Sequence, residues 1–286
     1  MPFIKRLAII GVGLIGGSLA LALRSNGAVG EVIGIGRGEA NLRRGVELGV
    51  IDRYDQDPCS GVQGADVVFL ATPVCTIAGI LAQIAPFLAR GSVVTDGGSV
   101  KEGIVAACEP LMPEGTFFVG GHPIAGTEHS GVEAAFATLY KNRRCILTPS
   151  LRTDPTALAT VEKLWETAGS DVVLMDAHKH DRILAAISHL PHMVAYSLVN
   201  AVGGYDRFDE NILRYSAGGF RDFTRIASSD PVMWRDIALM NQEAVVEMID
   251  FFADSLSNLR RLVATADSGA LETFFTRSKE QRDAII

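Results

Sequence analysis

Apolar and polar positions alternate along the first half of the chain in short blocks. Leu7 to Ile10 is an apolar run, and Ser18 to Ser25 carries a helical pattern. Glu31 to Gly36, Asp66 to Ala71 and Ser92 to Asp96 are further strand-like runs. Helical stretches from Ala40 to Leu48 and from Thr76 to Leu88 separate them. Short apolar strands spaced by helices predict βαβ units and a parallel sheet. Phe117 to Val119 and Cys145 to Leu147 are expected to add edge strands. A helix from Pro155 to Ala168 and a strand from Val172 to Met175 follow.

From Ala177 the pattern is helical, with long stretches from Arg182 to Val202 and from Pro231 to Val263. Ser229-Asp230-Pro231 supplies a cap and a proline for the first turn of the second stretch. Its recurring apolar residues, from Ile237 and Met240 to Phe252 and Leu256, cover more length than a small solitary domain buries. The expectation is helix pairing between two subunits. The pattern therefore predicts an α/β protein, a Rossmann-type doubly wound parallel sheet over 1–176 followed by an all-helical dimerisation domain over 177–286.

Composition narrows the class. With 286 residues, 48% hydrophobic and 21% charged, the chain reads as globular, and its net charge of −7 gives no general attraction for nucleic acid or acidic membranes. Cys59, Cys75, Cys108 and Cys145 form no C-x-x-C pair, which points to reduced thiols and a cytoplasmic protein without a disulfide framework or zinc knuckle. Lys5-Arg6 before the apolar run to Leu23 has the outline of a signal peptide, but Gly11, Gly13, Gly16 and Gly17 interrupt it. Neither export nor a membrane span is expected.

The first candidate chemistry is the turn Gly11-Val12-Gly13-Leu14-Ile15-Gly16, set between a strand and a helix. Its first glycine permits the tight turn, its second lets a pyrophosphate approach the backbone, and its third lets helix and strand pack. Gly11, Gly13, Leu14, Ile15 and Gly16 are accordingly assigned to a dinucleotide. An acid at the end of the second strand would hold a ribose 2′-hydroxyl. Here Gly36-Arg37-Gly38 stands instead, so Arg37 leans the site towards NADP or dual use of NAD and NADP, the alternative being an arginine on a solvated loop. Thr72-Pro73 and Asp96-Gly97-Gly98-Ser99-Val100-Lys101 each follow a strand and fall beside the expected nicotinamide.

Six histidines fall in three groups: His122/His129, His178/His180 and His189/His192. Their spacing is not that of a metal site. Gly120-Gly121-His122-Pro123 suits an imidazole exposed in a cleft, although the residues alone leave a structural role open.

GVGLIGGS (Gly11 to Ser18), DGGSVK (Asp96 to Lys101), GGHPIAGTEHSGVEAA (Gly120 to Ala135), SHLPH (Ser188 to His192) and GGFRDFTRIASSDPVMW (Gly218 to Trp234) together closely resemble the prephenate dehydrogenases, a family that includes arogenate and cyclohexadienyl dehydrogenases. The resemblance spans nearly the whole chain. It implies oxidative decarboxylation of prephenate or arogenate by a homodimer, with His122 accepting the hydroxyl's hydrogen bond and Ser99 bonding the same hydroxyl and orienting His122. It further implies substrate binding by His189 and Arg225, with Arg225 on the ring carboxylate. Trp234 is placed at the substrate pocket, with core packing as the alternative. Arg221 is assigned to the same site, or else to an ion pair with Glu128. No fused mutase or regulatory domain is expected, so the enzyme is expected to be monofunctional. Rival readings are a β-hydroxyacid dehydrogenase or imine reductase, which would call for a lysine in the long helices, and a non-catalytic nicotinamide sensor. Neither long helical stretch contains a lysine.

Overall fold

The computed structural model describes residues 1–127, 129–205 and 212–285. Eight strands form one sheet: β1 (Ile4–Ile10), β2 (Val29–Ile35), β3 (Arg53–Asp55), β4 (Val67–Leu70), β5 (Val93–Asp96), β6 (Phe117–Pro123), β7 (Arg144–Thr148) and β8 (Asp171–Leu174). Their order is β3-β2-β1-β4-β5-β6-β7-β8, and the first six are parallel. Strand order reverses between β1 and β4, and a doubly wound sheet binds its ligand in the crevice at such a point.

Two strands predicted as edges lie inside the sheet. The strand β6 pairs with β5 on one side and antiparallel with β7 on the other, while β8 forms the edge. The short apolar runs gave no sign of this, because residues paired on both sides and residues at an edge share one burial pattern when helices cover both faces.

Apolar side chains fill both faces. One core contains Leu19, Leu23, Phe69, Tyr140 and Trp165 beneath the Leu14–Ser25 and Pro155–Thr167 helices. The other contains Ile77, Leu81, Ile104 and Cys108, and it takes in Trp234 and Ile237 from the helical region. The second domain thus docks on the sheet's second face through Trp234 and Ile237.

The two long helical stretches are both interrupted. Ala177–Leu184 passes into a π-helical turn, Ala185–His189, before Leu190–Gly203 resumes. Pro231–Met240 and Gln242–Ala264 are separate helices, joined at Asn241 with φ −113° and ψ 36°. No proline or glycine marks that break. Its cause is tertiary, because Asn241 turns its amide into the site described below. The 27-residue stretch Ala177–Gly203 is long and apolar enough to cross a membrane by composition, yet its polar residues His180 and His189 are buried, His180 against His122 of β6 and His189 against Asn241 and Trp234.

Candidate active site

The glycine turn forms a cradle at the sheet's switch point. Gly11 has φ +100°, and a Cβ there would lie 2.3 Å from the Ala71 carbonyl oxygen. A Cβ on Gly16 would meet the Gly11 carbonyl oxygen, also at 2.3 Å. Around Gly13 nothing lies within 4 Å of that position. The first and third glycines are therefore required by the fold, whereas the second faces open space, as close approach of a pyrophosphate demands. Asn41 braces the turn by donating to the Val12 carbonyl at 2.7 Å and accepting from the Val132 amide at 3.1 Å.

The cradle opens into a cavity of about 590 Å³ lined by Gly11, Gly13, Arg37, Gln56, Thr72 and Pro73, among others. Leu14, Ile15 and Gly16 form the first turn of the helix beside it, so their part is the helix N-terminus. These residues fit a dinucleotide. Gly13→Val is expected to leave thermal stability nearly unchanged and to raise cofactor KM about tenfold or more, since its side chain would occupy the phosphate position. Differential scanning calorimetry and steady-state kinetics check both halves. Gly11→Ala is expected to lose stability instead.

Beyond the cradle, β5 and β6 end side by side in a buried charged clamp. The Lys101 ammonium pairs with the Asp96 carboxylate and donates to the Gly121 carbonyl at 3.0 Å. Asp96 also accepts from the amides of Gly98 at 2.8 Å and Gly121 at 3.1 Å. Both side chains are fully buried. Such a pair holds its strands in place and is strongly destabilising when one partner alone is removed. Here it fixes the backbone immediately before His122.

His122, 8% exposed, stands near the end of β6. Its Nδ1 lies 2.8 Å from Nε2 of His180, and Nδ1 of His180 lies 2.7 Å from the Asp181 carboxylate. Asp181 also accepts from the amides of Lys101 at 2.8 Å and Glu102 at 2.9 Å. Those donors set every proton in the chain. A carboxylate can only accept, so His180 bears its proton on Nδ1 and accepts at Nε2. His122 must then donate from Nδ1, leaving its Nε2 as a lone pair. Burial, then the neighbouring His180, Lys101 and His189, hold the His122 pKa well below its ordinary value. His122 is thus a neutral imidazole at physiological pH with one free basic nitrogen.

A second group of side chains lies close by. Trp234 stacks on His192 at 3.6 Å between ring centroids and meets His189 edge-on at 6.0 Å. His192 donates from Nδ1 to the Ser188 carbonyl at 3.0 Å. Burial, foremost, and the charge of Arg225 both depress the His192 pKa. Arg225 begins the 3-10 turn Arg225–Ser228. Buried Nε1 of Trp234 and Nε2 of His189 have no hydrogen-bond partner among the described residues. Buried N–H groups without partners are costly, and donors gathered near an arginine can receive an anionic, oxygen-rich ligand.

The structure brings together His122, His189, Trp234 and the loop carrying Ser99, with Arg225 beside His192. It reveals His180 and Asp181 as the groups oriented on His122. Sequence reading assigned neither of them, although the adjacent His180-Asp181 pair at the start of a helix was a visible signal. The Ser99 hydroxyl makes no hydrogen bond among the described residues. Arg221 is exposed and donates from Nε to Ser216 at 3.4 Å. Its suggested partner Glu128 lies outside the described residues.

A Rossmann cradle, a neutral buried histidine aimed by a carboxylate and an adjoining anion site define a nicotinamide-dependent dehydrogenase with a helical second domain. Two family models match the chain: the prephenate dehydrogenase nucleotide-binding domain over residues 19–174 and the prephenate dehydrogenase dimerization domain over 176–277. A cyclohexadienyl dehydrogenase of Zymomonas mobilis is 38% identical over 100% of this chain and 97% of its own length. A prephenate dehydrogenase of Bacillus subtilis is 37% identical over 98% of this chain and 76% of its own. Prephenate dehydrogenase from A. aeolicus, in complex with hydroxyphenyl propionate and NAD+, superposes with a TM-score of 0.93 at 38% identity, covering 99% of this chain and 98% of that one. The chain belongs to the prephenate dehydrogenase family.

Proposed function

We propose that this chain oxidatively decarboxylates prephenate to 4-hydroxyphenylpyruvate with NAD or NADP, as a cytosolic homodimer. The observation that carries the reading is the His122–His180–Asp181 chain, which presents a neutral Nε2 beside the partnerless donors of His189 and Trp234. A nicotinamide cofactor held by the Gly11–Gly16 cradle would supply the hydride acceptor for the ring carbon bearing the hydroxyl. His122 Nε2 takes the hydroxyl proton as that carbon becomes carbonyl-like, and Ser99 bonds the same oxygen. The positive charge arising on His122 is stabilised through His180, which donates to the Asp181 carboxylate. Arg225 binds the ring carboxylate, and Arg221 guides the substrate's second carboxylate. Loss of carbon dioxide needs no further acid: the electrons of the breaking bond complete the aromatic ring and pass to the ring oxygen, which takes its proton back from His122 to give the phenol.

The test is an assay of the purified protein with prephenate, following absorbance at 340 nm and formation of 4-hydroxyphenylpyruvate. Both should rise together, and silence with both prephenate and arogenate would overturn the reading. Arogenate is kept as a second substrate because an arogenate dehydrogenase of Synechocystis superposes with a TM-score of 0.83 at 32% identity over 99% of this chain and 100% of that one.

On cofactor choice the reading leans to NADP or dual use. Arg37 is exposed and lines the cavity, with glycines on either side and no carboxylate at the end of β2. Nearby Asp55 is engaged by the Ser60 hydroxyl at 2.6 Å and the Asp57 amide at 2.9 Å. Arg37→Ala is expected to raise KM for NADP about tenfold, the value of one charge-assisted hydrogen bond, and to leave KM for NAD unchanged. Equal effects on both would mean Arg37 does not read the 2′-phosphate.

The dimer reading rests on the Gln242–Ala264 helix, where Val246, Ile249, Phe251, Phe252 and Leu256 are all exposed. Large exposed apolar patches mark interaction surfaces, and a second copy of the same helix is the natural occupant in a chain with a dimerization domain.

A further inference from the structure

Asn241 sits where no helix signal places a break, and its side chain is buried to 7% exposure. Its Nδ2 donates to the Asp181 backbone carbonyl at 2.8 Å. That carbonyl can only accept, so the amide's orientation is fixed with nitrogen towards Asp181. The same Nδ2 lies 3.1 Å from Nδ1 of His189. An amide nitrogen has two hydrogens and no lone pair to offer, so Nδ1 of His189 accepts and the ring's proton resides on Nε2. The Ala185–His189 π turn brings this ring to Asn241, and π turns of this kind recur at functional sites.

We infer that Asn241 is a positioning residue that holds His189 as an Nε2–H donor, complementary to the acceptor Nε2 of His122. The two site histidines therefore carry opposite tautomers, one to take a proton and one to give a hydrogen bond to substrate oxygen. Both are set from a single stretch of backbone, since Asp181 orients His180 through its carboxylate and Asn241 through its carbonyl. Burial lowers the His189 pKa to about 4, which keeps the ring neutral and makes its tautomer matter. Only the identity of the acceptor as substrate rests on the proposed prephenate reading.

The experiment is a long-range ¹H–¹⁵N correlation spectrum of ¹⁵N-histidine-labelled protein without substrate, with His189 assigned by its loss in His189→Asn. The wild-type ring should carry its proton on Nε2, and in Asn241→Asp, whose carboxylate demands a donor, the proton should move to Nδ1. A wild-type proton on Nδ1, or an unmoved proton in a folded Asn241→Asp, would overturn the inference. The wild-type spectrum decides alone if the variant fails to fold. In kinetics, Asn241→Asp should raise KM for prephenate about tenfold or more with cofactor KM unchanged. Equal rises in both would reduce Asn241 to a structural role. Inactivity of the wild type on prephenate would sink the substrate reading and leave the tautomer assignment of His189 intact.

Discussion

His122→Asn is expected to lower kcat by roughly 10²- to 10⁴-fold, the range for loss of a positioned general base, with little change in cofactor KM. The substitution is conservative for the fold. An asparagine amide can still donate to Nε2 of His180, replacing the 2.8 Å bond from Nδ1, and it fills most of the same buried space. What it lacks is the second nitrogen whose lone pair accepts the hydroxyl proton. The residues proposed to hold the cofactor, the Gly11–Gly16 cradle and Arg37, line a cavity whose lining does not include this ring. A variant with nearly wild-type kcat would show that the proton leaves by another route.

Asp181→Asn is expected to cost about as much, because Asp181 acts on His122 through His180. The carboxylate accepts three hydrogen bonds, from His180 Nδ1 and from the amides of Lys101 and Glu102. Lys101 and His180 share one carboxylate oxygen and Glu102 takes the other. Asparagine has one acceptor oxygen, so its NH₂ must face either Glu102 or the pair Lys101 and His180. Facing Glu102, it keeps the tautomers but removes the negative charge that stabilises a protonated His122. Facing His180, it makes that ring carry its proton on Nε2, which forces His122 to bear its own proton on Nε2, where the base's lone pair should be. Inverting a single histidine by the same substitution in the Ser-His-Asp triad costs about 10⁴-fold. The check is kcat alongside cofactor affinity by fluorescence titration. A loss in kcat with intact affinity is expected, whereas parallel loss of both would indicate local unfolding.

Much of the cofactor half of this site was legible in the sequence. A G-x-G-x-x-G turn between strand and helix encodes backbone geometry locally, and Gly11 and Gly16 are glycines for reasons the fold makes plain. Arg37 and Thr72-Pro73 were legible for the same reason, since each follows a strand into the crevice. His122 was visible as a histidine flanked by glycine at a strand's end, and the role proposed for it came from the motif match.

The orienting half was not legible. His180 lies 58 positions from His122 along the chain, and although the adjacent Asp181 sets it apart from exposed His178, the pair does not say which residue it faces. Lys101 could be read as the end of a motif but not as a fully buried cation, because its burial depends on Asp96 and Gly121 arriving from two strands. The break at Asn241 was missed because Met240-Asn241-Gln242 has no helix-stopping residue, and the interruption is enforced by hydrogen bonds to the other long helical stretch. The edge assignment of β6 and β7 failed similarly, since strand neighbours are a property of the sheet and not of the run.

The pH dependence of kcat/KM for prephenate tests most directly whether a buried, neutral His122 is the base. A group whose pKa is depressed in the folded enzyme stays unprotonated, and so active, through the ordinary imidazole range near about 6.5. Burial, foremost, and the charges of His180 and Lys101 push His122 in that direction. The profile should therefore remain level from neutral pH down through that range, and fall only in more acidic solution. A fall centred at or above the ordinary imidazole value, still present in His122→Asn, would contradict the account, because the titrating group would then be neither buried nor His122.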